Sequence, residues 1–180
     1  MANKSPLRIA VLAGGTSRER NISLESGDAV AKSLSDRGHI VSRIDPAHVE
    51  LSDLDWSSFD VAFLALHGTF GEDGHVQQIL EEAGIPFTGS DSVASRLAFS
   101  KSAAKERFVQ NGVPTPPYVL IHESDSAARI QQQAAALGFP LAVKPDGQGS
   151  SLGITIVRTP EELPQALARC LECSMANRCR

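Results

Sequence analysis

An α/β fold built on a parallel sheet is predicted for the first half of the chain, and three observations predict it. Short apolar runs alternate with segments of helical periodicity. The runs LRIAVLA and VAFLAL are hydrophobic almost throughout, as strands covered on both faces are. Each run gives way to glycine and polar residues, where an open parallel sheet builds its sites.

LRIAVLA, residues 7–13, is the first strand and runs into Gly14 and Gly15. SLESGDAVAKSLSDRG is helical, because Leu24, Val30, Ala31 and Leu34 recur at roughly helical spacing and Gly38 supplies a stop. HIVSRI, residues 39–44, is a second strand. A polar stretch with Asp45-Pro46 and the sole Trp56 leads to VAFLAL, residues 61–66, the third. Asp73 caps a helix through GHVQQILEEAG that stops at Gly84, and IPFTG is a short fourth strand. Crossovers between such parallel strands are right-handed. Residues 90–111 read as helical, after which NGVPTPPYVLI crowds three prolines into four positions and marks a seam. Beyond it YVLI, SAARIQQQAAALG, LAVKP, a glycine-serine loop, ITIV and PEELPQALARCLE form a smaller α+β unit.

With 180 residues, 42% of them hydrophobic, and a formal net charge of -4, the composition is that of a globular protein. No apolar run approaches the roughly 20 residues of a membrane helix. The start MANKSPLRIAVLAGG carries no signal-peptide hydrophobic region, so a cytoplasmic location and no membrane partner are expected. Lysines and arginines are scattered, which argues against a nucleic-acid partner. Cys170, Cys173 and Cys179 all lie near the end of the sequence, and CLEC suggests a metal knuckle. No fourth ligand lies nearby, so ordinary reduced thiols, with no metal site, are the expectation.

Three stretches carry polar groups suited to chemistry. HGTFGEDG follows the third strand: its glycines admit a ligand close to the backbone, while His67, Glu72 and Asp73 offer a titratable base and two carboxylates. A tight turn, with Asp73 as a helix cap, is the structural alternative. AGGTSRERNIS follows the first strand, where Gly14 and Gly15 could hold a phosphate or carboxylate at a helix N-terminus. The spacing is not the dinucleotide fingerprint. Glu19, between Arg18 and Arg20, fits a solvated surface acid from spacing alone. In LAVKPDGQGSSLGITIV a strand delivers Lys144, and Gly147, Gly149 and Gly153 surround Ser150 and Ser151 before the next strand. Its glycines do not open onto a helix as in a Walker loop, which leaves a hairpin flap able to close over phosphates or a mobile hairpin with a surface lysine. Lys101, in SRLAFSKSAAKERF, reads by itself as an exposed helix lysine.

Taken together, LAGGTSRERNISLESG, ALHGTFGEDGHVQQILEEAGIPFTGS, the following SKSAAK and VKPDGQGSSLGI resemble the D-alanine:D-alanine ligase family of the ATP-grasp superfamily. The ordered set HG-x-x-GEDG, Gln77 and PFTGS is the most specific part. The resemblance implies a Rossmann-like, parallel-sheet pre-ATP-grasp domain over residues 1–98 and an incomplete small ATP-grasp lobe over 99–180. It implies a ligase that phosphorylates one D-alanine with ATP and joins it to a second, for peptidoglycan synthesis. Glu19 would then hold the ammonium of the first D-alanine with His67 beside it, and Glu19 and Ser150 would act as a catalytic pair. Lys101, Lys144, Ser150, Ser151 and Gly153 would bind ATP, and a homodimer is implied. Members continue into a C-terminal domain that supplies the Mg2+ ligands. LECSMANRCR does not resemble its opening, so a truncated, frameshifted or natural fragment, inactive alone, is expected. A non-catalytic D-alanine or nucleotide-binding relative, and a ligase using another second substrate such as D-lactate, stay open.

Overall fold

The computed structural model describes residues 5–149 and 153–175. Ser150, Ser151 and Cys179 lie outside the described residues. The chain divides into two compact units, Met1–Phe99 and Ser100–Arg180. The proline-rich stretch from Pro114 to Pro117 is therefore a connection inside the second unit and not the seam that its composition suggests.

The first unit is an α/β structure on a three-stranded parallel sheet, ordered β2-β1-β3, with β1 Arg8–Leu12, β2 Ile40–Ile44 and β3 Val61–Leu64. β1 lies in the middle, which explains its continuous hydrophobicity: successive side chains point to opposite faces and both faces are covered. Ala10 and Leu12 join a core with Leu51, Trp56, Val76, Leu80 and Ile85. Ile9, Val11 and Ala13 join the opposite core with Ala31 of helix α1, Arg20–Asp36.

The residues that α1 buries are Ser23, Gly27 and Ala31, spaced four apart. A β-carbon on Gly27 would overlap the Ala13 β-carbon, so the missing side chain is what lets the helix lie close to the end of β1. Leu24, Val30 and Leu34 flank this stripe and are only half-buried. Trp56 is buried and donates from Nε1 to the Leu51 carbonyl.

Three further elements differ from the sequence expectations. IPFTG is no strand: Phe87 makes one parallel bridge to Ala62, Pro86 has no N–H to donate, and the Thr88 hydroxyl accepts from Leu64 N. The helical stretch 90–111 is two helices, α3 Ser92–Phe99 and α4 Lys101–Gln110, broken at an extended Ser100 whose hydroxyl accepts from Ala103 N. YVLI has no strand partner among the described residues. Helix α2, His75–Glu82, lies between β3 and α3 in the chain.

The second unit pairs β4 Leu141–Val143 antiparallel with β5 Thr155–Val157. Helices α5 Ala127–Leu137 and α6 Leu163–Met175 cover this hairpin through Ala134, Val157, Leu163 and Ala166. Lys144 follows β4, and Gly153 precedes β5.

Candidate functional site

In the first unit the polar groups collect at the C-terminal edge of the sheet, where strand ends meet the start of α1. Ser23 is fully buried there. Its hydroxyl accepts from Gly14 N at 2.8 Å and donates to the Ala65 carbonyl at 2.7 Å, so one side chain ties the ends of β1 and β3 to α1. A buried donor and acceptor are thereby both satisfied.

Gly14 and Gly15 have φ of 95° and 73°, values open to glycine at little cost. Their N–H groups do not await a ligand, contrary to the expectation of an anion site. Gly14 N is held by Ser23, and Gly15 N donates to Asp45 Oδ1 at 2.9 Å. The anion at this turn is the protein's own Asp45. Arg20 completes the arrangement by donating to both Asp45 oxygens, at 3.0 and 2.6 Å, and to the Gly15 carbonyl at 2.7 Å. Burial alone would raise the Asp45 carboxyl. The hydrogen bonds from Arg20, Gly15 and Ala47 outweigh it and hold the group at about 2.

Glu19 stands immediately before α1, and its backbone N–H donates to the Ser17 hydroxyl. The Ser17 hydroxyl in turn donates to the His67 carbonyl at 2.8 Å, which ties the loop after β1 to the residues after β3. Gly68, at φ 70°, turns its bare α-carbon onto Glu19, since a β-carbon there would overlap Glu19 Oε2. The structure thus brings Glu19 and the His67-Gly68 turn together. The His67 ring has Nε2 3.3 Å from the Ser26 hydroxyl, within hydrogen-bond distance, and Nδ1 3.7 Å from Glu72 Oε1. A carboxylate against this turn suits a small ligand bearing an ammonium.

The two acids of GEDG take different parts. Glu72 stays partly exposed beside His67. Asp73 is almost buried, and its carboxylate accepts from Phe70 N, His75 N and the His75 ring. The cap position of α2 belongs to Gly74, in left-handed geometry, so Asp73 supports the helix from one residue earlier than expected. Gln77 donates to the Gly71 carbonyl and holds the turn from beneath. Two hollows border this edge, of about 160 Å3 beside Gly15, Pro46 and Phe70, and about 300 Å3 beside Leu66, Gly71 and Gln77. Glu19 and His67 line neither of them.

In the second unit Lys101 opens α4, and its Nζ donates to the Gln148 carbonyl at 2.6 Å and the Asp146 carbonyl at 3.3 Å. Burial pushes the Lys101 ammonium down, and the neighbouring charge of Lys144 adds to that against the opposing pull of Asp146. Asp146 is already engaged by Ser100, Ser102 and the start of α4. Lys101 and Lys144 thus feel each other's charge beside the loop that follows β4, with Asp146 opposing, and cations there suit an anion such as a phosphate. Lys144 is exposed, and Gly153 has φ 70° at the far end of the same loop.

Sequence reasoning passed over Ser17, Ser23, Ser26, Arg20 and Asp45. Only Asp45 carried a positional signal, since it directly follows β2 at the same sheet edge. The serines act through backbone groups that no spacing reveals.

Two family models match the chain: one described as the N-terminus of D-ala D-ala ligase over residues 47–90, the other as its C-terminus over residues 108–175. A D-alanine–D-alanine ligase of Geobacter sulfurreducens is 45% identical over 160 residues, 89% of this chain and 50% of the relative. The crystal structure of the Bacillus anthracis enzyme superposes with a TM-score of 0.79 at 33% identity, covering 90% of this chain and 53% of that one. The same enzyme complexed with ATP superposes with a TM-score of 0.73 at 32% identity, over 90% and 54% of the two chains. The chain spans about half the length of the curated relatives it matches.

Proposed function

We propose that this chain, which belongs to the D-alanine–D-alanine ligase family, binds D-alanine on its first unit and the phosphates of ATP on its second, as parts of a ligase that makes D-alanyl-D-alanine for peptidoglycan. The approach of Gly68 to Glu19 is the observation that carries this reading. A carboxylate pressed against the bare backbone of the residue after His67 offers an ammonium partner.

In the reaction an oxygen of the first D-alanine carboxylate attacks the γ-phosphorus of ATP, the bond to ADP breaks, and an acyl phosphate forms. The amine of a second D-alanine then attacks the acyl carbon, loses a proton, and expels phosphate. Such phosphoryl transfer depends on positioning and charge neutralisation more than on covalent help. Glu19 would pair with the ammonium of the first D-alanine, leaving its carboxylate to react, and His67 would hold the same substrate. Lys101 and Lys144 would neutralise phosphate oxygens, with the backbone at Gly153 closing over them. The roles of Ser150 and Ser151 belong to this proposal through the family motif alone.

Magnesium, a homodimer and a cytoplasmic location are likewise carried by the family resemblance. Among the described residues no group of three or more His, Cys, Asp or Glu is gathered for a metal ion. No described helix is long and apolar enough to cross a membrane.

Titration of the chain with ATP in the presence and absence of D-alanine tests the reading. Saturable binding of each ligand supports it. Failure of either to bind contradicts the half that ligand was assigned to.

A further inference from the structure

Helix α6 carries Cys170 and Cys173 three residues apart, neighbours on one turn. Both are half-buried and neither is in a disulfide. The ligase reading gives this CLEC pair no role. Cys173 fills the space between the two ends of the loop that joins β4 to β5. A β-carbon on Gly153 would stand 2.9 Å from Cys173 Cβ, 3.1 Å from its Sγ and 2.9 Å from Pro145 Cγ. There is no room at that sulfur for another atom on the Gly153 side. Cys170, one turn earlier, lies within electrostatic reach of Lys101, which holds the Asp146 and Gln148 carbonyls of the same loop.

We propose that Cys170 and Cys173 are a redox-responsive modification site, oxidised to a disulfide by exchange with a low-molecular-weight disulfide, and that closure draws α6 away from Gly153 and Lys101. Residues three apart on an α-helix have β-carbons about 5–6 Å apart, whereas a disulfide requires about 3.5–4.5 Å. Closing the bond tightens the turn toward 3-10 geometry, in which such residues eclipse. That rotation moves the Cys173 sulfur out of its contact with Gly153 and Pro145.

The exchange balances without another reactant. The thiolate of one cysteine of the pair attacks one sulfur of the small disulfide and releases one thiolate. The thiolate of the other cysteine then attacks the sulfur so modified and expels the second, so the protein gives up two electrons and two protons. Burial, with Cys173 adding to it, pushes the Cys170 thiol up against a smaller opposing effect of Lys101.

The consequence for nucleotide rests on the phosphate role proposed for Lys101, and the test separates the two ideas. The full chain bearing Cys179→Ser is treated with oxidised glutathione, then read by peptide mass, by acylation of Lys101 with an amine reagent, and by ATP titration. The expected result is a peptide short of two hydrogens across Cys170 and Cys173, with Lys101 acylation raised about threefold or more by local opening. Dithiothreitol should reverse both, and Cys170→Ser should abolish both while keeping the reduced level of labelling. Cysteines that stay reduced, cysteines that carry only glutathione, or a disulfide that leaves Lys101 labelling unchanged would each overturn the proposal. A rise in labelling with ATP affinity unaltered upholds the thiol pair and counts against the phosphate role of Lys101.

Discussion

Gly68 rests its α-carbon on the carboxylate of Glu19, close enough that a β-carbon would overlap Oε2. This one contact joins the loop after β1 to the turn after β3, and it makes the absence of a side chain at residue 68 a requirement of the site.

Gly68→Ala should damage binding and stability together. The left-handed backbone at φ 70° costs an alanine about 1–2 kcal/mol, before any displacement of Glu19. Urea unfolding should show a loss of that order or more, and D-alanine titration should show affinity at least about tenfold weaker, since a charge-assisted hydrogen bond is worth about 1.5–3 kcal/mol. An alanine variant with wild-type affinity would mean that the Glu19 position does not matter.

Ser23→Ala tests the buried bridge between Gly14 N and the Ala65 carbonyl. Removing the hydroxyl strands both backbone groups, at about 1–3 kcal/mol each for a buried orphan. The urea midpoint should fall accordingly, and water entering the gap would keep the loss at the low end.

Asp45 gives the chain an acid-sensitive contribution to stability. Its folded value of about 2 lies below the ordinary 3.8, so the folded state favours the charged form. The stabilisation is fully present above about pH 4 and is lost as pH falls toward about 2, amounting to about 1 kcal/mol once solvent screening is allowed for. Unfolding midpoints across that window should fall more steeply for the wild type than for Asp45→Asn. Parallel profiles would show that the Arg20 pair contributes nothing measurable.

Lys101→Met should weaken ATP binding about tenfold by removing one charge-assisted contact, while D-alanine affinity on the first unit stays unchanged. Added salt should weaken wild-type ATP binding more than that of the variant. Loss of D-alanine affinity in this variant would contradict the assignment of the two ligands to separate units.

Much of the fold was readable because its signals are local. β1 is hydrophobic on both faces because it is the central strand, and a continuous apolar run says so directly. IPFTG carries the same signal, but Pro86 and the Thr88 hydroxyl break its pairing after one bridge. The periodicity of Leu24, Val30, Ala31 and Leu34 reveals helix α1, but not its buried stripe, where close approach selects Ser23 and Gly27 beside Ala31. At the site, Glu19 and His67 stand out as chemistry-bearing types beside glycine turns. Arg20 and Asp45 pair across 25 positions, Ser23 works through backbone groups, and no periodicity encodes either relationship.

Whether Glu19 holds the ammonium of D-alanine is tested by calorimetric titration of the chain with D-alanine and with L-alanine, repeated on Glu19→Gln. Saturable binding of D-alanine, clear preference over L-alanine, and affinity about 10- to 100-fold weaker in the variant are expected, the size of one charge-assisted hydrogen bond. Equal affinity in wild type and variant, or no binding of D-alanine by either, would contradict it.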